Sequence, residues 1–231
     1  MVEAAQHYKD AVCVVNGVTV QPHLSGALFV PEFSTLLVAD LHFEKGSAYA
    51  AGGQLLPPYD TRKTISRLAA AIAETEAKTI IALGDSFHDL GADHRIHNED
   101  ADTLAELVRS VSEWVWIEGN HDPKPPARFG GRTLPQMVLG GLTLRHEPAM
   151  GEAPGEICGH LHPAAKVIGR GRRLRCFATD GSRMILPAFG AYAGGLSVRD
   201  AAITSVFGRC PDAWVMGRDA VYPISAKRLA G

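Results

Sequence analysis

The 231-residue sequence contains no apolar run approaching the ~20 residues of a membrane-spanning helix, so no such span is expected. Its four cysteines (Cys13, Cys158, Cys176 and Cys210) are scattered, with no C-x-x-C pair. They read as reduced, buried thiols rather than a disulfide framework or a thiolate metal site. Neither charge dominates. The formal net charge is −2, so any nucleic-acid partner must be held by a local patch. Met1 to Asp10 lacks the apolar core of a signal peptide, which leaves the cytoplasm as the expected compartment. Linkers, internal repeats and low-complexity segments are missing too, and the length suits one domain over residues 1–231.

What is present is organised around residues 80–89. Four apolar residues, Ile80 to Leu83, end abruptly at Gly84-Asp85. This reads as a buried strand delivering a carboxylate to a sheet edge, with glycine permitting the sharp exit. A carboxylate there is costly to bury without a cation. Three other strand-like runs also end in metal-ligand residues: Leu36 to Asp40-x-His42, Trp116 to Asn120-His121-Asp122, and Glu156 to His160-x-His162. A fifth, from Leu142, ends in His146.

The chain opens as β structure. Ala11 to Val15, Asn16-Gly17 and Val18 to Val20 form a hairpin signal with a two-residue turn. Strands at Ala27–Val30 and Leu36–Ala39 follow. A small-residue loop, Phe43–Gly53, is expected beside the site and ends at Pro57-Pro58. A helix capped by Asp60 or Thr61 runs to Thr75, with Ile65, Leu68, Ala69, Ile72 and Ala73 on one face. A polar loop at Leu90–Glu99 precedes a helix at Asp100–Ser112, whose inward face is Leu104, Leu107, Val108 and Val111. The Trp114–Ile117 strand completes a strand-helix alternation that predicts a parallel sheet. Pro123–Pro135 reads as irregular. Short strands from Met137 to Leu186 predict a second, mainly antiparallel sheet, and Arg199–Gly231 carries little signal. The fold class is α/β: two packed sheets with helices outside.

A lone histidine near a core is ordinarily a hydrogen-bonded structural residue. Here His42, His146, His160 and His162 stand in the clustered positions, each after an apolar run. In Asp40-x-His42 and His160-x-His162, side chains two apart share a side if strand geometry continues. The ordered set is specific for metal binding. Asp40-x-His42, Gly84-Asp85, Gly119-Asn120-His121-Asp122, His146 and Gly159-His160-x-His162 resemble the signature of the calcineurin-like metallophosphoesterases. That resemblance implies a four-layer α/β/β/α sandwich and two metal ions. One would take Asp40, His42, Asp85 and His162; the other Asp85, Asn120, His146 and His160. Ala39 to Ser47, Gly159 to Pro163 and Leu186 to Ser197 resemble, more narrowly, the bacterial DNA ligase-associated metallophosphoesterases, the PdeM family. This second resemblance runs from about Val14 to Val198. It implies a DNA-repair endonuclease with DNA, a ligase and a helicase as partners.

One position departs from the wider superfamily. The usual Gly-Asp-x-x-Asp motif ends in an aspartate that orients the catalytic histidine, and here His88 stands there. The segment resembles that of repair nucleases within the superfamily and tilts the reading from phosphatase to nuclease. It leaves open whether Asp89 takes the orienting role. In the expected chemistry two metals about 3.5–4 Å apart turn a shared water into hydroxide, which attacks phosphorus. His121 acts as general acid on the leaving oxygen or stabilises the transition state; a purely orienting histidine is the bland alternative. Oxygen and nitrogen ligands without thiolate suit Mn²⁺, iron or Zn²⁺, and the resemblance favours Mn²⁺.

Lys166, Arg170, Arg172, Arg173 and Arg175 form the densest basic segment, readable as a DNA-phosphate contact or a solvated hairpin tip. Arg128 and Arg132 are weaker candidates for substrate phosphate. His7, His23, His94 and His97 read as surface residues, and Phe87, Trp114 and Trp116 as core. Leu186–Gly195 reads as a tight turn and a possible cleft wall. A phosphatase or cyclic phosphodiesterase for a small molecule is the competing enzyme reading. A non-catalytic scaffold would be expected to have lost ligands, and all are filled here.

Overall fold

The computed structural model describes residues 11–54, 56–57 and 59–231. Met1 to Asp10, with His7, and Pro58 at the end of the expected loop lie outside the described residues. The first sheet runs in chain order: β1 (Cys13–Val15), β2 (Val18–Pro22), β3 (Leu28–Val30), β4 (Thr35–Val38), β5 (Thr79–Leu83), β6 (Glu113–Ile117) and β7 (Arg132–Leu134). Asn16 and Gly17 both take positive φ, 48° and 82°, which closes β1 onto β2 with Val15 opposite Val18. Strands β1 to β4 pair antiparallel and β4 to β7 parallel. The parallel part places the ends of β4, β5 and β6 on one edge, with Val38 opposite Ala82 and Leu83 opposite Ile117.

Helices α1 (Lys45–Ala51), α2 (Asp60–Thr75), α3 (Ala92–Arg95) and α4 (Asn98–Arg109) lie within these connections. Five expectations need correction. The polar loop expected at Leu90–Glu99 contains α3, and α4 begins within it at Asn98. The Phe43–Gly53 loop contains α1. Its alanines favour helix, and its start is fixed by Gly46 N–H donating to Asp60 (2.9 Å) and Thr61 hydroxyl donating to Glu44 (2.8 Å). Those side chains are therefore engaged by α1 and do not cap α2. Ala73 is exposed, and Thr61, Thr64 and Ala71 join Ile65 and Leu68 on the buried face. The irregular 123–135 stretch supplies edge strand β7, whose pairing with β6 rather than its own propensity makes it a strand.

The second sheet holds β8 (Met137–Leu139), β9 (Leu142–Leu144), β10 (Glu156–Cys158), β11 (Pro163–Val167), β12 (Arg173–Thr179), β13 (Met184–Ile185), β14 (Leu196–Ser197), β15 (Asp212–Met216), β16 (Val221–Ile224) and β17 (Leu229–Ala230). It is mostly antiparallel, with β9–β10, β10–β13 and β11–β14 parallel. Helix α5 (Ala201–Phe207) follows β14. Alternation sorts the side chains into three apolar layers. Leu36, Ile80, Ala82, Trp114 and Trp116 pack with Ile65, Leu68 and Leu104 of α2 and α4. Leu37, Ile81, Leu83 and Val115 meet Leu144, Ile157 and Phe177 between the sheets. Cys176, Ala178 and Ile185 pack with Ile203 and Phe207 of α5. The result is the α/β/β/α sandwich, with Phe87, Trp114 and Trp116 in the core as expected.

Candidate metal centre

Both sheets end their central parallel strands at one edge. Asp40 and His42 follow β4, Asp85 follows β5, and Asn120 follows β6. His146 follows β9, and His160 and His162 follow β10. Each turn is sharp: Asp40, His42, Asp85, His160 and His162 all have φ between 45° and 66°. A left-handed non-glycine residue costs about 1–3 kcal/mol, and such strain gathers at functional sites. Gly84, at φ +74°, is required in a second way, because a Cβ there would overlap the His146 ring.

The turned side chains form two groups. Ligand atoms of Asp40, His42 and His162 lie within 4.8 Å of one another, as do those of Asp85, His146 and His160. His42 Nε2 faces His162 Nε2 at 3.4 Å, and His160 Nδ1 faces His146 Nε2 at 3.2 Å. His162 Nε2 is 3.2 Å from Asp40, and His146 Nε2 is 3.4 Å from Asp85. Asn120 Oδ1 lies 2.9 Å from His146 Nε2. Asp40 and Asp85 are 0% and 2% exposed. Among the described residues, no lysine or arginine pairs with either. Two buried carboxylates and facing imidazole nitrogens form a donor set that fits divalent cations, and neither group contains a thiolate. Cys158 is buried and hydrogen-bonded toward Met184.

Backbone groups fix the carboxylates. His160 N–H donates to Asp40 (3.0 Å) and His121 N–H to Asp85 (2.9 Å). Burial pushes the Asp85 carboxyl up, but the hydrogen bond and charge of His146 outweigh it and hold the group at about 2. Burial pushes the His146 imidazolium down, yet the Asp85 hydrogen bond and the charges of Asp40 and Asp85 raise it to about 9. Burial also pushes His42 down, to about 3, against the pull of both aspartates. Asp122, which accepts from Phe87 N–H at 2.9 Å, is raised to about 7 by burial and then by Asp85.

His121 stands at the open side of the cluster, with Nε2 4.0 Å from Asp85. Its Nδ1 is 3.0 Å from the carbonyl oxygen of His88, an acceptor only, so Nδ1 carries a proton. The His88 and His121 rings stack at 16°. Asp89 does not orient His121; it accepts from Arg95 (2.7 Å) and Gly91 N–H (2.7 Å). The orienting acceptor is thus a backbone carbonyl, invisible in the sequence. Tyr49, stacked on His88, and half-buried Lys45, near Asp40 and Asp85, are further neighbours that no sequence motif marks. Both lie in the stretch expected to border the site, and that position is their only signal.

Other candidates separate. Arg128 pairs with Asp93 (2.6 Å) and Arg132 with Glu113 (2.7 Å). Arg175 donates to Ala188 carbonyl (3.0 Å) and leaves the basic segment. Residues Leu186–Gly195 do abut the centre: Phe189 and Gly190 N–H groups donate to the carbonyls of Ala39 and Asp40. His94 and His97 are exposed, while His23 is half-buried against Ser25 and Glu74. A cleft of about 520 Å³ opens beside Asn120 and His146, with Glu118, Glu147 and Arg145 on its walls.

The edge geometry, the two candidate metal sites and the sandwich are those of a metallohydrolase. The family Calcineurin-like phosphoesterase matches residues 33–168, and the chain belongs to it, as a metal-dependent phosphoesterase. The crystal structure of Pseudomonas putida nuclease MPE is 29% identical, covers 92% of this chain and 98% of its own, and superposes with a TM-score of 0.72. Two more distant structures are AQ665 from Aquifex aeolicus and the phosphoesterase Yfce from E. coli. The first is 15% identical with a TM-score of 0.39, over 55% of this chain and 78% of that one. The second is 13% identical with a TM-score of 0.38, over 85% and 96%. No curated protein sequence matches the chain. Among the described residues, no helix is long and apolar enough to cross a membrane.

Proposed function

We propose that this phosphoesterase is a DNA phosphodiesterase, an endonuclease of DNA repair. Asp40, His42, Asp85 and His162 would hold one ion, and Asp85, Asn120, His146 and His160 would hold the other. Mn²⁺ is the proposed ion, and iron and Zn²⁺ suit the same donors. The observation that carries the nuclease reading is likeness to the P. putida nuclease over nearly the whole of both chains. His88 at the usual aspartate position supports it. Residues 1–231 act as one domain in the cytoplasm, with DNA as substrate and a DNA ligase and a helicase as repair partners.

When bound, two ions supply charge neutralisation of the phosphate and a nucleophile at neutral pH. The chain's own residues do the rest. The left-handed turns aim the ligands, and the N–H groups of His121 and His160 fix the two aspartates. The His88 carbonyl holds the His121 Nδ1 proton, which leaves Nε2 facing the cluster, 4.0 Å from Asp85. A proton on Nε2 passes to the leaving oxygen as the P–O bond breaks. The test is turnover by metal-loaded protein of bis-p-nitrophenyl phosphate, mononucleotides and single-stranded DNA. Cleavage of the diester and of DNA is expected. Efficient hydrolysis of monoesters with no action on DNA would replace this reading with a small-molecule phosphatase.

A further inference from the structure

The basic segment does not end as an isolated hairpin tip. Strands β11 and β12 are joined through Gly169, at φ +79°, and β15 and β16 through residues 217–220. Strand β12 pairs antiparallel with β15, Cys176 opposite Val215, which brings both hairpin tips to the same end of the second sheet. Between them lies a cavity of about 640 Å³. Arg170 and Arg172 line it from one tip, Arg218 from the other, and Arg228 from the turn before β17. Its floor includes Leu174, Val215 and Ile224, an extension of the apolar layer beneath α5. Tyr222 forms part of the wall and is 39% exposed.

The charge is lopsided. Residues 166–175 and 217–231 together hold eight basic residues and one acidic residue, a formal +7 in a chain whose total is −2. Among the described residues, Arg170, Arg172 and Arg228 make no side-chain ion pair or hydrogen bond. Arg218 has, among the described residues, only Asp219, at 3.9 Å, with both side chains more than 80% exposed. Four arginines line one concavity whose lining includes no carboxylate. This arrangement calls for a polyanion, and guanidinium forks match phosphate oxygens. The apolar floor and phenol ring add what a free phosphate would not use: a surface for a flat, apolar face. The volume suits one small-molecule-sized ligand, a nucleotide unit rather than a duplex.

We propose that this cavity is an exosite for single-stranded nucleic acid, holding backbone phosphates on Arg170, Arg172, Arg218 and Arg228 and a base against Tyr222. The inference rests on the DNA phosphodiesterase reading and adds a second grip to it. Strand β11 begins at Pro163, immediately after His162, and Val167 at its far end lines the cavity. Four residue steps of strand put the cavity roughly 13 Å or more from the metal edge. The exosite therefore serves strands long enough to reach both places and leaves small diesters unaffected.

The test uses the full chain and oligothymidylates of increasing length. Binding is followed by fluorescence anisotropy against salt, and turnover by cleavage and by bis-p-nitrophenyl phosphate hydrolysis. Alanine at all four arginines should weaken binding of a long oligothymidylate about tenfold or more at low salt and flatten the log–log salt slope by about 0.7 for each phosphate no longer held. The length advantage should vanish while small-diester turnover stays at the wild-type value. Should the quadruple variant fail to fold by circular dichroism, the Arg170→Ala/Arg172→Ala and Arg218→Ala/Arg228→Ala pairs are measured separately, and each should lose part of the slope. Unchanged affinity and slope in variants of a wild type that cuts DNA would overturn the exosite and leave the nuclease reading standing. Polyglutamate displacing the oligonucleotide equally well at matched charge would overturn the nucleic-acid assignment. A wild type that hydrolyses the small diester but neither binds nor cuts DNA would remove the reading on which the exosite depends.

Discussion

His121 and His88 divide one task between a side chain and a backbone atom. With Nδ1 held by the His88 carbonyl, the proposed mechanism makes His121 Nε2 the group offered to the leaving oxygen. His121→Ala should keep both metals and slow turnover by roughly 10²–10⁴, the scale of a general acid. The loss should shrink for a p-nitrophenolate leaving group, which needs no proton. Equal losses on activated and unactivated esters would assign His121 to positioning. His88→Ala leaves the carbonyl in place and removes only the stacked ring. Its turnover should fall by less than the roughly 10²-fold lower limit for losing a general acid, as steady-state kinetics on the same two esters will show. Asp85→Asn should nearly abolish activity with the fold retained, checked by metal content and circular dichroism. Retained turnover at saturating metal would show that Asp85 does not bridge.

At the scale of elements, the turn after β5 and the start of β10 are the sensitive points. Gly84→Ala combines a left-handed φ with overlap of the His146 ring. It should destabilise the fold by at least about 1–3 kcal/mol, read by denaturant unfolding, and lower metal binding at the His146 side. Strand β10 begins with Glu156, 2% exposed and paired with buried Arg183, which also donates to the carbonyls of Ala149, Gly151 and Val206. Removing one member of a buried pair leaves an uncompensated charge, so Arg183→Ala should cost about 3–5 kcal/mol. These elements also show what the sequence makes legible. Apolar runs ending in Gly84-Asp85 or His160-x-His162 carry a local pattern, so the strands and the candidate ligand residues can be read directly. Glu156 reads as an ordinary strand start because its partner lies 27 residues on. Helix α1 escapes because Asp60 and Thr61, the residues that stabilise its first turn, read in the sequence as caps of α2. The arginine cavity escapes because half of its wall comes from C-terminal residues with no recognisable pattern.

For the whole molecule, metal binding and protonation are linked through His146. Without metal its pKa is raised from 6.5 to about 9, so its proton stabilises the fold fully below pH 6.5. That contribution fades as pH rises through about 9. To act as a ligand His146 must lose the Nε2 proton, whereas His42, already lowered to about 3, has none to lose. Metal uptake at pH 7 should therefore release protons, and apparent affinity should climb up to about pH 9. Calorimetry in buffers of different ionisation enthalpy measures this; a buffer-independent heat would contradict it. Metal at 100 times its Kd should also add about 2.7 kcal/mol of stability per site, lost on chelation and visible as a lower Tm. The central claim is that the two donor groups together hold a pair of ions sharing Asp85. Crystals grown with Mn²⁺ and measured for anomalous scattering test it most directly. The account predicts two peaks about 3.5–4 Å apart, one beside Asp40, His42 and His162, the other beside Asn120, His146 and His160, with Asp85 between them. A single peak, with Asn120 and His146 turned away from it, would contradict the account.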